Sequence, residues 1–144
     1  MAAITVSIDI AATIDQVWRH ASDLGSHAEW MTDAETIEFR TEQRSGVGTQ
    51  MEVLTRVGPL HTTDLMEVTE WVDRRTIGVR HEGLVTGEGK FSLEATATGT
   101  RFTWSEQLSF PWYLGGAIVG QLASPILRWV WRRNLESLRN RIES

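Results

Sequence analysis

The stretch PWYLGGAIVGQLASPILRWVW, Pro111 to Trp131, carries no charge until Arg128 and is long enough to cross a bilayer. Three readings compete for it: a membrane span, a helix in the core of a globular domain, or the wall of a pocket. A spanning helix needs about 20 mainly apolar residues in one continuous run. Here Pro111 separates the stretch from the strand-like QLSF before it. Gly115, Gly116 and Gly120 weaken helix propensity, and Gln121, Ser124 and Pro125 interrupt the apolar face. The continuation decides the matter. Leu127, Trp131, Leu135, Leu138 and Ile142 form one stripe with Arg and Glu opposite, as in a long helix laid on a core. The stretch is read as helix rather than span, with its nearly all-apolar first half, Ala117 to Ile126, also expected in the core.

That helix needs a sheet to cover. Upstream, ITVSIDI alternates apolar and polar residues, a half-buried strand. Thr13 followed by Gln16 is a capping-box pattern, so a short helix begins there and buries Ile14, Val17 and Trp18. SDLGSHAEW reads as a break and a second short helix. From Ala34 the period becomes two and stays so, through Ile37 and Phe39, Met51 and Val53, Leu65 to Trp71, and Ile77, Val79 and His81. Phe91, Leu93 and Ala95, then Phe102, Trp104, Glu106 and Leu108, complete six runs joined by short Gly, Asp and Pro turns. With no helical segment between them, the six form an antiparallel meander. The fold class is α+β: a curved antiparallel sheet of about seven strands wrapped around one long C-terminal helix. Such a sheet cannot touch a straight helix along its whole length, so a cavity is expected between them. Gly78, Gly87 and Gly89 are the expected sites of sharp curvature or bulges.

Composition narrows the function classes. The 144 residues suit one domain, and the absence of cysteine removes disulfides, thiolate metal sites and a cysteine nucleophile. It also fits a reducing cytoplasm, and the N-terminus has no signal-peptide pattern. Net charge is −5, yet Arg128 onward holds five Arg and two Glu. This basic tail complements a helix C-terminus, and no nucleic-acid recognition motif accompanies it. His20, Asp23 and His27 lack metal-ligand spacing, GVG and GEG lack the helix that a phosphate loop needs, and no nucleophile motif occurs. No metal, cofactor or nucleic acid is therefore expected.

The order of elements resembles the helix-grip fold of the START-like (SRPBCC) superfamily. IDIAATIDQVW resembles its opening strand and helix, HAEW the residues before its second strand, and SGVGTQMEV a later strand entry. VTEWVDRRTI resembles a characteristic turn, GTRFTWSEQL a late strand, and ASPILRWVWRRNLESLRNRIE the closing helix. The likeness covers nearly the whole chain and is nearest the polyketide cyclase/dehydrase and lipid-transport branch, although Asp73-Arg74 stand where prolines are usual. It implies a small apolar or amphipathic ligand, a lipid, polyketide or aromatic metabolite, held between sheet and helix. Because this superfamily hosts carriers, receptors and enzymes, activity has to be argued from the pocket.

Glu106 is the most informative residue, since alternation puts it on the apolar face, where a carboxylate is costly unless paired. It is either an acid/base group or a carboxylate satisfied by a structural hydrogen bond. His81 shares a face with Ile77 and Val79 and carries the same two readings, as ligand donor or acid/base, or as a satisfied core histidine. One strand separates the two residues, so they are not expected as neighbours. Trp30, Phe39, Met51, Val53, Phe91 and Trp104 are candidate wall residues, with Trp112, Tyr113, Gln121 and Trp129 at the mouth and along the helix. Core packing is the competing reading for each tryptophan. Arg56 and Arg80 are expected at the surface. The alternatives to a ligand carrier are a cyclase/dehydratase-type enzyme using Glu106, and a module whose apolar helix start touches a partner or a membrane surface. Either a monomer or a homodimer is compatible.

Overall fold

A computed structural model of the chain describes residues 2–144. Strand β1 (Ala2–Ile10) buries Ile4, Val6 and Ile10, half-buries Ile8 and exposes Thr5, Ser7 and Asp9. Helix α1 (Ile14–Ala21) starts on the reciprocal cap its sequence encodes: Gln16 N donates to Thr13 Oγ1 at 3.2 Å, and Thr13 N donates to Gln16 Oε1 at 2.9 Å. The second expected helix is a 3-10 segment, Leu24–Glu29. Its apolar content is too small to sustain an α-helix, and it turns the chain so that Leu24 and His27 face inward.

Six strands follow: β2 (Ala34–Phe39), β3 (Gln50–Val57), β4 (Leu60–Val72), β5 (Thr76–Glu82), β6 (Thr86–Thr96) and β7 (Gly99–Ser109). All pairings are antiparallel, in the order β1-β7-β6-β5-β4-β3-β2, so the first and last strands are partners. Bulges bend the sheet. One shifts the β4–β5 register between Val68 and Glu70, opposite Gly78, where a Cβ would stand 3.1 Å from that of Glu70. At Gly87 a Cβ would lie 1.9 Å from the Gln107 carbonyl oxygen, so any side chain there breaks the β6–β7 ladder.

After a 3-10 turn at Trp112–Leu114, helix α2 (Gly116–Glu143) runs back across the concave face. It packs mainly against β1 and β7. Gly120 permits the approach, since a Cβ on it would already be 3.3 Å from Ala2 and Phe110. Trp131, Leu135 and Leu138 are buried, each contributing about 1.5–3 kcal/mol of apolar burial. Among the described residues no helix is long and apolar enough to cross a membrane. The first half of α2 corrects the expectation of a core helix: only Gly120 is buried there, while Ile118, Leu122 and Ile126 are exposed. The reason is the sheet's curvature. With α2 set against the β1–β7 side, β3 to β6 curl over without reaching it, and a gap remains.

Candidate functional site

That gap is a cavity of about 320 Å³. Alternation along the strands supplies its floor, including Met51 and Val53 of β3, Met66 of β4, Val79 of β5 and Phe91 of β6. Ala123, Ile126, Leu127 and Trp131 of α2 close the other side. Into this apolar space the sheet sets a group of polar side chains around Asp64 and His81: Thr55, Thr62 and Glu106.

Glu106 is 6% exposed and fully engaged. Its Oε1 accepts from Trp104 Nε1 at 3.1 Å, and its Oε2 accepts from His81 Nε2 at 2.8 Å. This corrects the expectation that, with a strand between theirs, His81 and Glu106 would not be direct neighbours. Strand β6 does run between them, but it presents Gly87 opposite His81 and Gly89 opposite Glu106. A Cβ on Gly89 would fall 2.4–2.5 Å from the Glu106 carboxylate atoms. Gly89 has ordinary backbone geometry, so glycine is needed here for space. The missing side chain is the passage through which the two residues meet.

Burial alone would push the His81 imidazole down. The hydrogen bond to Glu106 and that carboxylate's charge, with Asp64 adding, outweigh it and hold His81 above its usual range. Asp64 is itself raised, chiefly by burial, against the His81 charge and the hydrogen bonds of Thr62 and Thr55. Its Oδ1 is buried without a hydrogen-bond partner among the described residues. Deeper in, Trp131 stacks on Trp104, with ring centroids 4.8 Å apart and planes at 15°. Trp131 Nε1 donates to Asp33 Oδ2 at 3.2 Å, and Asn134 Nδ2 donates to Asp33 Oδ1 at 2.7 Å. Asn134 Oδ1 in turn accepts from the Thr32 amide and hydroxyl, both at 3.0 Å. Burial raises Asp33 above the carboxylate range in spite of these bonds. The network fastens α2 to the segment before β2. His27, on the cavity wall, is lowered to about 4 by burial; neutral, its Nε2 donates to the Ala21 carbonyl at 2.8 Å.

The cavity wall thus includes Met51, Val53, His81, Phe91, Trp104 and Glu106 from the sequence-derived candidates. Trp30 lies behind the wall, 2% exposed, in an aromatic cluster with His27, Phe91, Phe102 and Trp104. Phe39 packs outside it beneath the Arg44 guanidinium. Trp112, Tyr113, Gln121 and Trp129 are exposed and away from the wall, because they occupy the outward side of α2 and the turn before it. Arg56 and Arg80 sit in exposed ion pairs with Glu35, and with Glu67 and Glu82. Sequence reasoning missed His27, Asp33, Asp64 and Gly89. Asp64 was findable, because Thr62, Asp64 and Met66 alternate once β4 is begun at Leu60 rather than Leu65.

Residues 1–143 match the family model described as polyketide cyclase/dehydrase and lipid transport. The chain belongs to this family. Solved structures agree on the helix-grip fold. A protein from Thermus thermophilus superposes with a TM-score of 0.84 at 20% identity, covering 97% of this chain and 96% of its own. XoxI from Bacillus cereus gives 0.78 at 15% identity, covering 100% and 97%, and a conserved protein from Geobacillus kaustophilus gives 0.78 at 14%, covering 98% and 95%. No curated protein matches the chain. At these identities the likeness speaks to fold alone, and the family's breadth leaves the ligand to the cavity's own chemistry.

Proposed function

We propose that this protein binds a small apolar or amphipathic molecule between its sheet and α2. The supporting observation is the cavity itself, about 320 Å³ with an apolar wall and a few polar groups gathered around Asp64 and His81. Ligand pockets have this character: apolar area supplies affinity, and a small number of placed polar groups supplies orientation. Native mass spectrometry of freshly purified protein, followed by solvent extraction, tests the reading. A discrete added mass of a few hundred daltons, absent after extraction, is the expected result. A mass equal to the bare chain, together with no uptake from an apolar compound mixture, contradicts it.

Two further readings each have an observation in their favour. The His81–Glu106 pair favours acid–base chemistry on a bound substrate. Both oxygens of Glu106 are occupied, so the proton-transfer group would be His81, with Glu106 positioning it. The outward face of α2 favours peripheral contact with an anionic bilayer. Ile118, Leu122, Ile126 and Trp129 share one exposed stripe, Trp112 is exposed in the turn before α2, and Ile126 also borders the cavity. No acidic residue occurs from Gln107 to Leu135, whereas Arg128, Arg132 and Arg133 do. Two copies meeting on this stripe would set those arginines against one another, but lipid phosphates would complement them.

A further inference from the structure

We infer that the ligand presents a neutral hydroxyl group, an alcohol or phenol, to Asp64 and His81, and that the cavity discriminates against carboxylates of the same apolar body. This rests on the ligand-binding reading above and specifies its chemistry. Hydrogen-bonding capacity around Asp64 and His81 carries the inference. Glu106 has both oxygens bonded, to Trp104 and His81, and Asp33 has both bonded, to Asn134 and Trp131. Neither needs a ligand. Asp64 lines the cavity with the Thr62 and Thr55 hydroxyls as hydrogen-bond partners, while its Oδ1, packed against Gly83, is buried and unpartnered among the described residues. A carboxylate turns readily about its terminal torsion, so either oxygen can be offered. Asp64 therefore has capacity for one more donor besides the two threonine hydroxyls. His81 has Nε2 committed to Glu106, and Nδ1 makes no hydrogen bond among the described residues.

A hydroxyl suits this pair because it donates and accepts at once: it can donate to Asp64 and accept from a protonated His81 Nδ1–H, or donate to Nδ1 when the ring is neutral. The charges argue against the alternatives. Asp33, Asp64 and Glu106 face the cavity against the single cationic candidate among the described residues, His81. Lys90 borders the space only through its backbone side of β6, for its ammonium reaches Glu70 at 3.0 Å on the opposite face of the sheet. Among the described residues no arginine lines the wall. A ligand carboxylate would thus enter a site already holding carboxylates, with no guanidinium to receive it. An ammonium would satisfy Asp64 but meet the His81 charge.

The test is displacement of the neutral dye N-phenyl-1-naphthylamine from the wild-type protein at pH 7. The competitors are 1-decanol, its methyl ether, decanoate and decylamine, which share one apolar chain. The alcohol is expected to compete about tenfold or more better than the ether and the carboxylate, the scale of a hydrogen bond to a charged group. Asp64→Asn is expected to narrow the alcohol-to-carboxylate ratio to within about threefold on the same scale. Equal or tighter binding of decanoate or the ether overturns the inference while leaving the binding reading intact, as does tenfold tighter binding of decylamine. If the dye and all four compounds fail to bind, the binding reading falls and takes this inference with it.

Discussion

Gly89 decides the chemistry of the site by having no side chain. His81 and Glu106 lie two strands apart, a separation across which side chains ordinarily do not meet, and the pair exists because β6 leaves a gap between them. In Gly89→Ala the new methyl group occupies the carboxylate's position, and Glu106 must leave Trp104, His81 or both. Losing a buried charge-assisted bond costs about 1–3 kcal/mol. The pH dependence identifies the cause. His81 is raised in the folded state, so the pair stabilises the fold fully below the unfolded imidazole's value of 6.5 and less as pH rises through the folded value. Gly89→Ala should therefore destabilise most near pH 6 and progressively less on the alkaline side, and the His81 ring should titrate lower by NMR. A destabilisation independent of pH, with His81 titrating as before, would show that the methyl is accommodated elsewhere. None of this was readable from the sequence, where GEG suggests curvature and alternation reports which face a residue takes but not what its neighbours lack. Alternation did place Glu106 and His81 on the same apolar face, and that much was legible.

Helix α2 shows where pattern reading stops at the level of an element. Its second half follows a simple rule, one apolar stripe against the core, and Trp131, Leu135 and Leu138 are buried accordingly. Its first half is apolar on nearly every side, and periodicity cannot say which side is covered. Curvature of the sheet settles it, leaving Leu122 70% and Trp129 61% exposed, with the Arg133 guanidinium over the Trp129 ring at 5.1 Å. Such a stripe has the composition of a contact surface. If its partner is an anionic bilayer, the protein should co-float with phosphatidylserine-containing vesicles, bind pure phosphatidylcholine weakly, and release with rising salt. Ile118→Ser with Leu122→Ser should reduce binding about tenfold or more, since each exposed large apolar side chain is worth over 1 kcal/mol on burial. These residues are solvent-facing, so folding should be unaffected. Vesicle binding that ignores both lipid charge and the double substitution would contradict the assignment.

At the scale of the whole molecule, seven antiparallel strands and one long helix enclose space because the two surfaces differ in curvature. The helix meets β1 and β7, the remaining strands bend past it, and the apolar gap carries its polar groups on β3, β4, β5 and β7. The architecture was legible in advance from strand periodicity, the cap at Thr13 and the stripe on the last helix. The cavity's polar wall was not, because it depends on register between four strands and on one glycine. If the cavity is where the ligand binds, filling it should weaken or abolish binding. Ala123 faces the space from α2 at a half-buried, helix-compatible position, so Ala123→Trp should fold while occupying much of the volume. Titration with N-phenyl-1-naphthylamine should give one site in the wild type and, for a site that depends on apolar burial, about tenfold or weaker binding in Ala123→Trp, with thermal stability largely retained. Undiminished binding in a folded Ala123→Trp protein would place the dye on another surface and contradict the account.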